Sequence, residues 1–338
     1  MPLFSFSREL GIDLGTMNTI IAEGNQILLQ EPTVVAIVVS EQKMVEWGSQ
    51  ARDMDGRVSD NIEVVRPLQH GVIAEYEVTE NLLRFLVRRV AGPMRIFRPK
   101  VMITVPYGVT SVESRAVHEA GVGAGTSDVY MIAQPLAAAL GIDLPINTPS
   151  GNMILSLGGG TVQAAVLAMN DIVRADTSRT GGMRMDEAII NYVRKKYGII
   201  IGQPTAEQLK IRIGAAVQQD QQSAMEVQGQ DQVSGLPRPV NLTTDDVIDA
   251  LQEPLMEIVN TTRRVLEHTP PELISDIIDR GVALCGGGAL LRGIDKYLTK
   301  ALGIPAYLVD NPVTCTAEGA ARAMVMRDAL RRSLMPTY

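Results

Sequence analysis

Apolar residues along this chain fall into short runs broken by glycine turns, and three of the breaks are alike. Met153–Leu157 and Ala164–Met169 are apolar runs on either side of Gly158, Gly159, Gly160 and Thr161. Runs of this length bounded by glycine predict buried strands. Nearer the start, Gly11–Leu14 leads through Gly15, Thr16, Met17 and Asn18 into a second run, Thr19–Ala22. Asp13 precedes that turn as Ser156 precedes the other. A third run, Gly281–Leu284, ends in Cys285, Gly286, Gly287, Gly288 and Ala289, followed by a helical pattern over Leu290–Leu302. Further strands are predicted at Ile27–Leu29, Val34–Val39 and Val101–Val105. Helical spacing predicts helices over Val78–Val90, Thr110–Ala120, Pro135–Leu140 and Asp186–Tyr197. Thr205 with Gln208 reads as a capping box for a helix running to Val217. Thr243 or Thr244 caps a long helix to Glu267, kinked at Pro254 and ended by Pro270 and Pro271.

A turn without side chains takes positive φ angles and lets backbone N–H groups approach an anion. Taken singly, each turn reads equally well as an ordinary glycine-rich hairpin. The recurrence shifts the balance, because a strand, a glycine turn and a helix N-terminus make a seat for phosphate. Two related halves facing each other, with a third glycine turn beside them, suggest one nucleotide held in a cleft between two domains.

Composition is consistent with this. The chain has 338 residues, room for two domains, and is 46% apolar with one Trp and four Phe, so its core is aliphatic. The net charge of −7 argues against nucleic acid as the main partner. Cys285 and Cys315 lie among small or apolar residues and read as reduced and buried, as in a cytoplasmic protein. No run approaches the ~18 apolar residues that span a membrane, and no secretory signal is evident.

Taken together the motifs are specific. Asp13-Leu-Gly-Thr16, Gly158–Thr161 and Gly286–Ala289, in this order and spacing, resemble the actin, heat-shock chaperone and sugar kinase superfamily. Glu31–Ala36, Arg66-Pro67-Leu68 with Gly71–Ala74, Thr269–Leu273 and Gly286–Gly293 resemble its bacterial actin branch, the MreB family. The resemblance runs from Gly11 to Met324. It implies an α/β, actin-like fold of two related domains with a nucleotide cleft between them. Residues 1–140 would form the first, with an insertion at about 33–65. Residues 141–338 would form the second, with an insertion at about 179–260. It also implies ATP or ADP as ligand, with Mg²⁺ near Asp13. Gly15, Thr16, Met17 and Asn18 are assigned to the phosphates, and Gly158, Gly159, Gly160 and Thr161 to the β- and γ-phosphates. Glu207, Gln208, Leu209 and Lys210 would serve the ribose and base, and Gly286, Gly287, Gly288 and Ala289 the other side of the nucleotide. Without the resemblance, Glu207 and Lys210 read as a surface ion pair one helical turn apart.

Several positions depart from the family pattern. Ser156 stands where these proteins place Asp, and Gln163 where MreB proteins place Glu. Gln134 replaces the Glu before Pro135, as it does in actins. Gly182-Met183-Arg184 stands where MreB proteins usually have Gly-Asp-Glu. A glutamine accepts a hydrogen bond but takes no proton, and loss of a general base costs roughly 10²–10⁴ in rate. The motifs that bind are intact while those that hydrolyse are altered. The expectation is a polymerising, membrane-associated cytoskeletal protein that organises cell shape and wall synthesis, with weak or lost hydrolysis. The alternatives are a fully active ATPase driving dynamic filaments and, ranked last, a small-molecule kinase, for which Asp13 is the only acid left in the two turns.

Expected partners are other copies of the chain, cell-wall synthesis or shape proteins, and an anionic membrane at the inner face of the cytoplasmic membrane. Leu3, Phe4 and Phe6 precede the first strand, and Met94, Ile96 and Phe97 interrupt a loop whose surroundings, from Arg84 to Val112, hold no acidic residue. Apolar residues among cations suit an anionic bilayer surface. The plainer reading is a tail and a loop that tuck against their own domain.

Overall fold

The computed structural model describes residues 7–41, 43–92, 98–221 and 223–336. Leu3, Phe4, Phe6, Met94, Ile96 and Phe97 lie outside the described residues.

The predicted repeat is built as two five-stranded sheets of matching topology. In the first, Glu9–Leu14 pairs antiparallel with Asn18–Glu23 and parallel with Lys100–Val105. In the second, Asn152–Leu157 pairs antiparallel with Val162–Ala168 and parallel with Val282–Cys285. The outer strands are Gln26–Pro32 and Asp128–Ala133 in the first sheet, Asp171–Ser178 and Ala306–Leu308 in the second.

Strand periodicity explains why both central runs are continuously apolar. Successive side chains point to opposite faces of a sheet. Met153, Leu155 and Leu157 join one core with Ile189, Leu209, Leu251 and Leu284. Ile154 joins another, shared with Met102, Leu136, Cys285 and Cys315. A strand covered on both faces has no polar side to alternate with.

The second of those cores ties the halves together. The helix Cys315–Val325, from the end of the chain, packs back on the helix Gln134–Gly141 and on the strand Glu9–Leu14. Three glycines allow the approach: a Cβ at Gly319 would lie 1.7 Å from the Ala137 carbonyl oxygen, one at Gly141 1.8 Å from that of Cys315, and one at Gly11 2.2 Å from the Ala321 nitrogen.

Each half carries a smaller three-stranded sheet. Lys43–Trp47, Val35–Val38 and Ile62–Val65 form one, beside the helix Gly48–Met54. Ile199–Ile200, Ala224–Asp231 and Pro237–Thr243 form the other, beside the helices Gly182–Tyr197, Gln203–Ile213 and Thr244–Glu267. Thr243 caps the long helix in a reciprocal capping box with Asp246, and Pro254 lies buried within it.

Two helix boundaries differ from expectation. Thr205 caps nothing: the helix begins after Gly202, with Pro204 in its first turn, and Gly214 takes an extended conformation that ends it short of Val217. The run expected to be helical over Leu290–Leu302 is a short 3₁₀ turn, Gly287–Leu290, then the helix Ile294–Leu302. Gly293 separates them in the left-handed region, at φ +73°.

Candidate functional site

The two glycine turns are the same structure. Gly15 N–H donates to the Asn18 carbonyl at 3.1 Å, and Gly158 N–H to the Thr161 carbonyl at 2.8 Å. They meet face to face between the sheets, with Met17 against Gly159 and Thr16 against Gly160. Thr16 Oγ1 accepts from Gly71 N at 2.8 Å, and His70 Nδ1 lies 3.3 Å from the Gly160 carbonyl oxygen. The N-terminus of the helix Gly182–Tyr197 docks behind, its Gly182 and Met183 N–H groups donating to the Gly158 and Gly159 carbonyls at 2.9 Å each. With those carbonyls tied back, the N–H groups of Gly159 and Gly160 donate to no protein acceptor among the described residues.

The reason for the glycines is not the one expected. None of Gly15, Gly158, Gly159 or Gly160 has positive φ. They are required by crowding: a Cβ on Gly159 would lie 2.0 Å from Met17 Cγ, and one on Gly160 2.4 Å from Thr16 Oγ1. Only Gly286, in the third turn, sits at positive φ, +83°.

A cavity opens between the turns. Asp13, Gly15, Thr16, Met17, Asn18, Gln134, Ser156, Gly158, Gly159, Gly160, Thr161, Gln163, Gly286 and Gly287 all line it. Ile20, Gly71, Val313 and Thr316, not anticipated from sequence as site residues, complete the wall.

Asp13 is the only acidic residue on this wall. Burial raises its pKa, opposed by hydrogen bonds from Thr104 Oγ1 at 2.6 Å and Gln134 Nε2 at 3.4 Å. Gln163 is 1% exposed. Its Oε1 accepts from Tyr107 N at 2.8 Å, and its Nε2 donates to Gln134 Oε1. Ser156 stands beside Cys285 on the neighbouring strand. Cys285 has its pKa pushed up by hydrogen bonding with Cys315 and by burial, which keeps the thiol protonated and unreactive. Among the described residues no group of three or more His, Cys, Asp or Glu is arranged to hold a metal ion.

The reading of Glu207 and Lys210 as a surface ion pair fails. Glu207 and Lys210 do not pair with each other. Glu207 meets Arg52, from the opposite half, at 2.5 Å. Lys210 Nζ lies 2.7 Å from Asp186 Oδ1 and donates to the Gly182 carbonyl at 2.9 Å. Lys210 thus reaches the edge of the glycine turn while Glu207 closes the cleft rim. Leu209 is fully buried in the core, because its side of the helix packs inward, and Gln208 is exposed. Ala289 is also a core residue, and a Cβ on Gly288 would lie 3.0 Å from Leu157 Cβ. The side chains of Leu209 and Ala289 therefore do not face the cavity.

Asp186 was not anticipated. Desolvation raises its pKa to about 6 although Lys210 pulls it down. The two charges approach closely without a well-aligned hydrogen bond, and neither carboxylate oxygen finds another donor. The sequence signal was an acid on the inward face of a helix, between Met185 and Ile189.

The model of the MreB/Mbl protein family matches residues 7–332. The cell shape-determining protein MreB of Escherichia coli strain K12 is 44% identical over 329 residues, covering 96% of this chain and 95% of that protein. The crystal structure of Spiroplasma citri MreB5 bound to ADP superposes with a TM-score of 0.90 at 31% identity, covering 97% of this chain and 98% of that one. A second structure of it, bound to AMPPNP, matches equally well. MamK, solved as a double helical filament, shares the fold at 20% identity and a TM-score of 0.79. With its two matched sheets, facing glycine turns and near-complete family match, this chain belongs to the MreB/Mbl family.

Proposed function

We propose that this protein binds ATP or ADP between the two glycine turns and assembles with copies of itself into filaments that act in cell-shape determination. The observation that carries the reading is the paired turn geometry, with the Gly159 and Gly160 N–H groups left for an anion. The relative named for cell shape and the ADP- and AMPPNP-bound neighbour support it. The two domains would divide near residue 140, with the helix Cys315–Val325 returning across the boundary.

Mg²⁺ fits the site through Asp13 alone. A Mg²⁺ ion commonly takes one or two carboxylates and keeps several waters beside substrate phosphates. One carboxylate is at that minimum, and the ion would serve to offset phosphate charge.

Hydrolysis is proposed to be weak. Gln163 uses its oxygen on Tyr107 and its nitrogen on Gln134, and neither atom accepts a proton from water. The test is phosphate release by wild type beside a Ser156→Asp, Gln163→Glu double variant. The reading expects slow release from wild type and a gain in the variant. Release matching ordinary MreB proteins, with no gain, would support the active ATPase instead.

The membrane is proposed as a partner through Leu3, Phe4, Phe6, Met94, Ile96 and Phe97, and a place at the inner face of the cytoplasmic membrane follows from that. No described helix is long and apolar enough to cross a membrane. Some of the nearby cations are already engaged: Arg84 with Glu80, and Arg89 over the Trp47 ring at 5.1 Å. Arg88 and Arg98 remain exposed.

A further inference from the structure

Tyr107 follows the strand Lys100–Val105 in the first half, yet its backbone is held by the second. Its N–H donates to Gln163 Oε1 at 2.8 Å, and its carbonyl accepts from Thr177 Oγ1 at 2.8 Å. Gln163 and Thr177 face each other on adjacent strands of the second sheet. A single residue of one half is therefore gripped on both its backbone polar atoms by one rung of the other.

The grip continues inward. Gln163 Nε2 donates to Gln134 Oε1, and Gln134 Nε2 reaches Asp13 Oδ1 at 3.4 Å. The hydrogen bonds run in one direction, from Tyr107 N–H through two amides to the Asp13 carboxylate. An amide at 163 both accepts from Tyr107 and donates to Gln134; an ionised carboxylate does the first and not the second. The neutral side chain that is unsuited to activating water is thus suited to joining the halves. Buried polar groups satisfied in this way rigidify what they connect.

We propose that Gln163 is a positioning residue which, with Thr177, bolts Tyr107 to the second sheet and fixes the opening of the cleft with or without a ligand. The bolt limits how fast bound nucleotide leaves. That consequence rests on the nucleotide reading, whereas the bolt itself does not.

Amide hydrogen exchange at Tyr107 in the ligand-free full chain reads the bolt directly. Wild type is compared with Gln163→Ala, Gln163→Glu and Thr177→Val. Exchange at Tyr107 should quicken about tenfold or more in Gln163→Ala, as expected when a local opening becomes easier. It should stay within about threefold of wild type in Gln163→Glu, which keeps the acceptor. Dissociation of a fluorescent ADP analogue, chased with ADP, should be several-fold faster in Gln163→Ala and in Thr177→Val. Equal Tyr107 exchange in wild type and Gln163→Ala overturns the bolt. If Gln163→Ala does not fold, Thr177→Val decides: wild-type ADP release and wild-type exchange at Tyr107 together overturn it. If ADP binds no variant and not wild type, the nucleotide reading fails while the Tyr107 exchange still decides the bolt.

Discussion

Lys210 reaches Asp186 from the next helix, its Nζ 2.7 Å from a carboxylate oxygen whose side chain is 1% exposed. A buried charge pair costs desolvation that its own attraction only partly repays. The carboxyl has its pKa raised from 3.8 to about 6 by that desolvation. A raised acid favours the protonated form in the folded state, so its contribution is full below the unfolded value and lost as pH rises through about 6. Denaturant unfolding of wild type and Asp186→Asn should therefore show a stability difference that moves against wild type between about pH 4 and pH 6. A shift of two units corresponds to about 3 kcal/mol at most. A difference that is flat over that range would show that folding does not raise the Asp186 pKa.

Gly159 is the point where the turns touch. A valine there would push into Met17, whose Cγ already lies 2.0 Å from a Cβ position. Gly159→Val is expected to remove ADP and ATP binding as read by calorimetry while leaving secondary structure by circular dichroism in place. Calorimetry that finds wild-type affinity in the variant would show that the turns are not the seat of the ligand.

The helix crossing that joins the halves has no room for a side chain. A Cβ on Gly319 would stand 1.7 Å from a backbone oxygen, which cannot rotate aside. Gly319→Ala should cost more than about 3 kcal/mol, above the usual range for overpacking. Gly202→Ala, where the nearest atom is Pro204 Cδ at 3.6 Å, serves as the tolerated control. Equal unfolding midpoints for the two variants would refute this account of the crossing.

Membrane association should need anionic lipid and weaken with salt. Each basic residue near the surface contributes roughly 1 kcal/mol, and each apolar side chain roughly 1.5–3 kcal/mol when fully buried. A filament multiplies both through effective concentration. Flotation with vesicles should fall in a variant lacking residues 2–7 and in Ile96→Ser/Phe97→Ser. Wild-type flotation by both variants, or equal binding to neutral vesicles, would place any anchor elsewhere.

The central strands of the two large sheets, the three glycine turns and the repeat of one half in the other were legible in sequence because they are local. Apolar runs such as Met153–Leu157 and the turn Gly158–Thr161 carry their own signal within a few residues, and so does the Thr243 cap. Asp13, Ser156 and Gln163 line the cavity because they flank the turns in sequence, whereas Gln134 was named only through the family resemblance. What tertiary structure alone decided was which residues face one another across long separations. Glu207 meets Arg52, 155 positions away, and Gln163 meets Tyr107, 56 positions away. Neither partnership leaves a local pattern, because each depends on how two separately formed sheets pack. Side-chain direction was hidden for the same reason: Leu209 and Lys210 are neighbours, yet one step along the helix turns the first into the core and the second toward the glycine turn. Even Gly159 and Gly160 were recognised by composition while their cause, the crowding of Met17 and Thr16 from the other half, exists only once the halves meet.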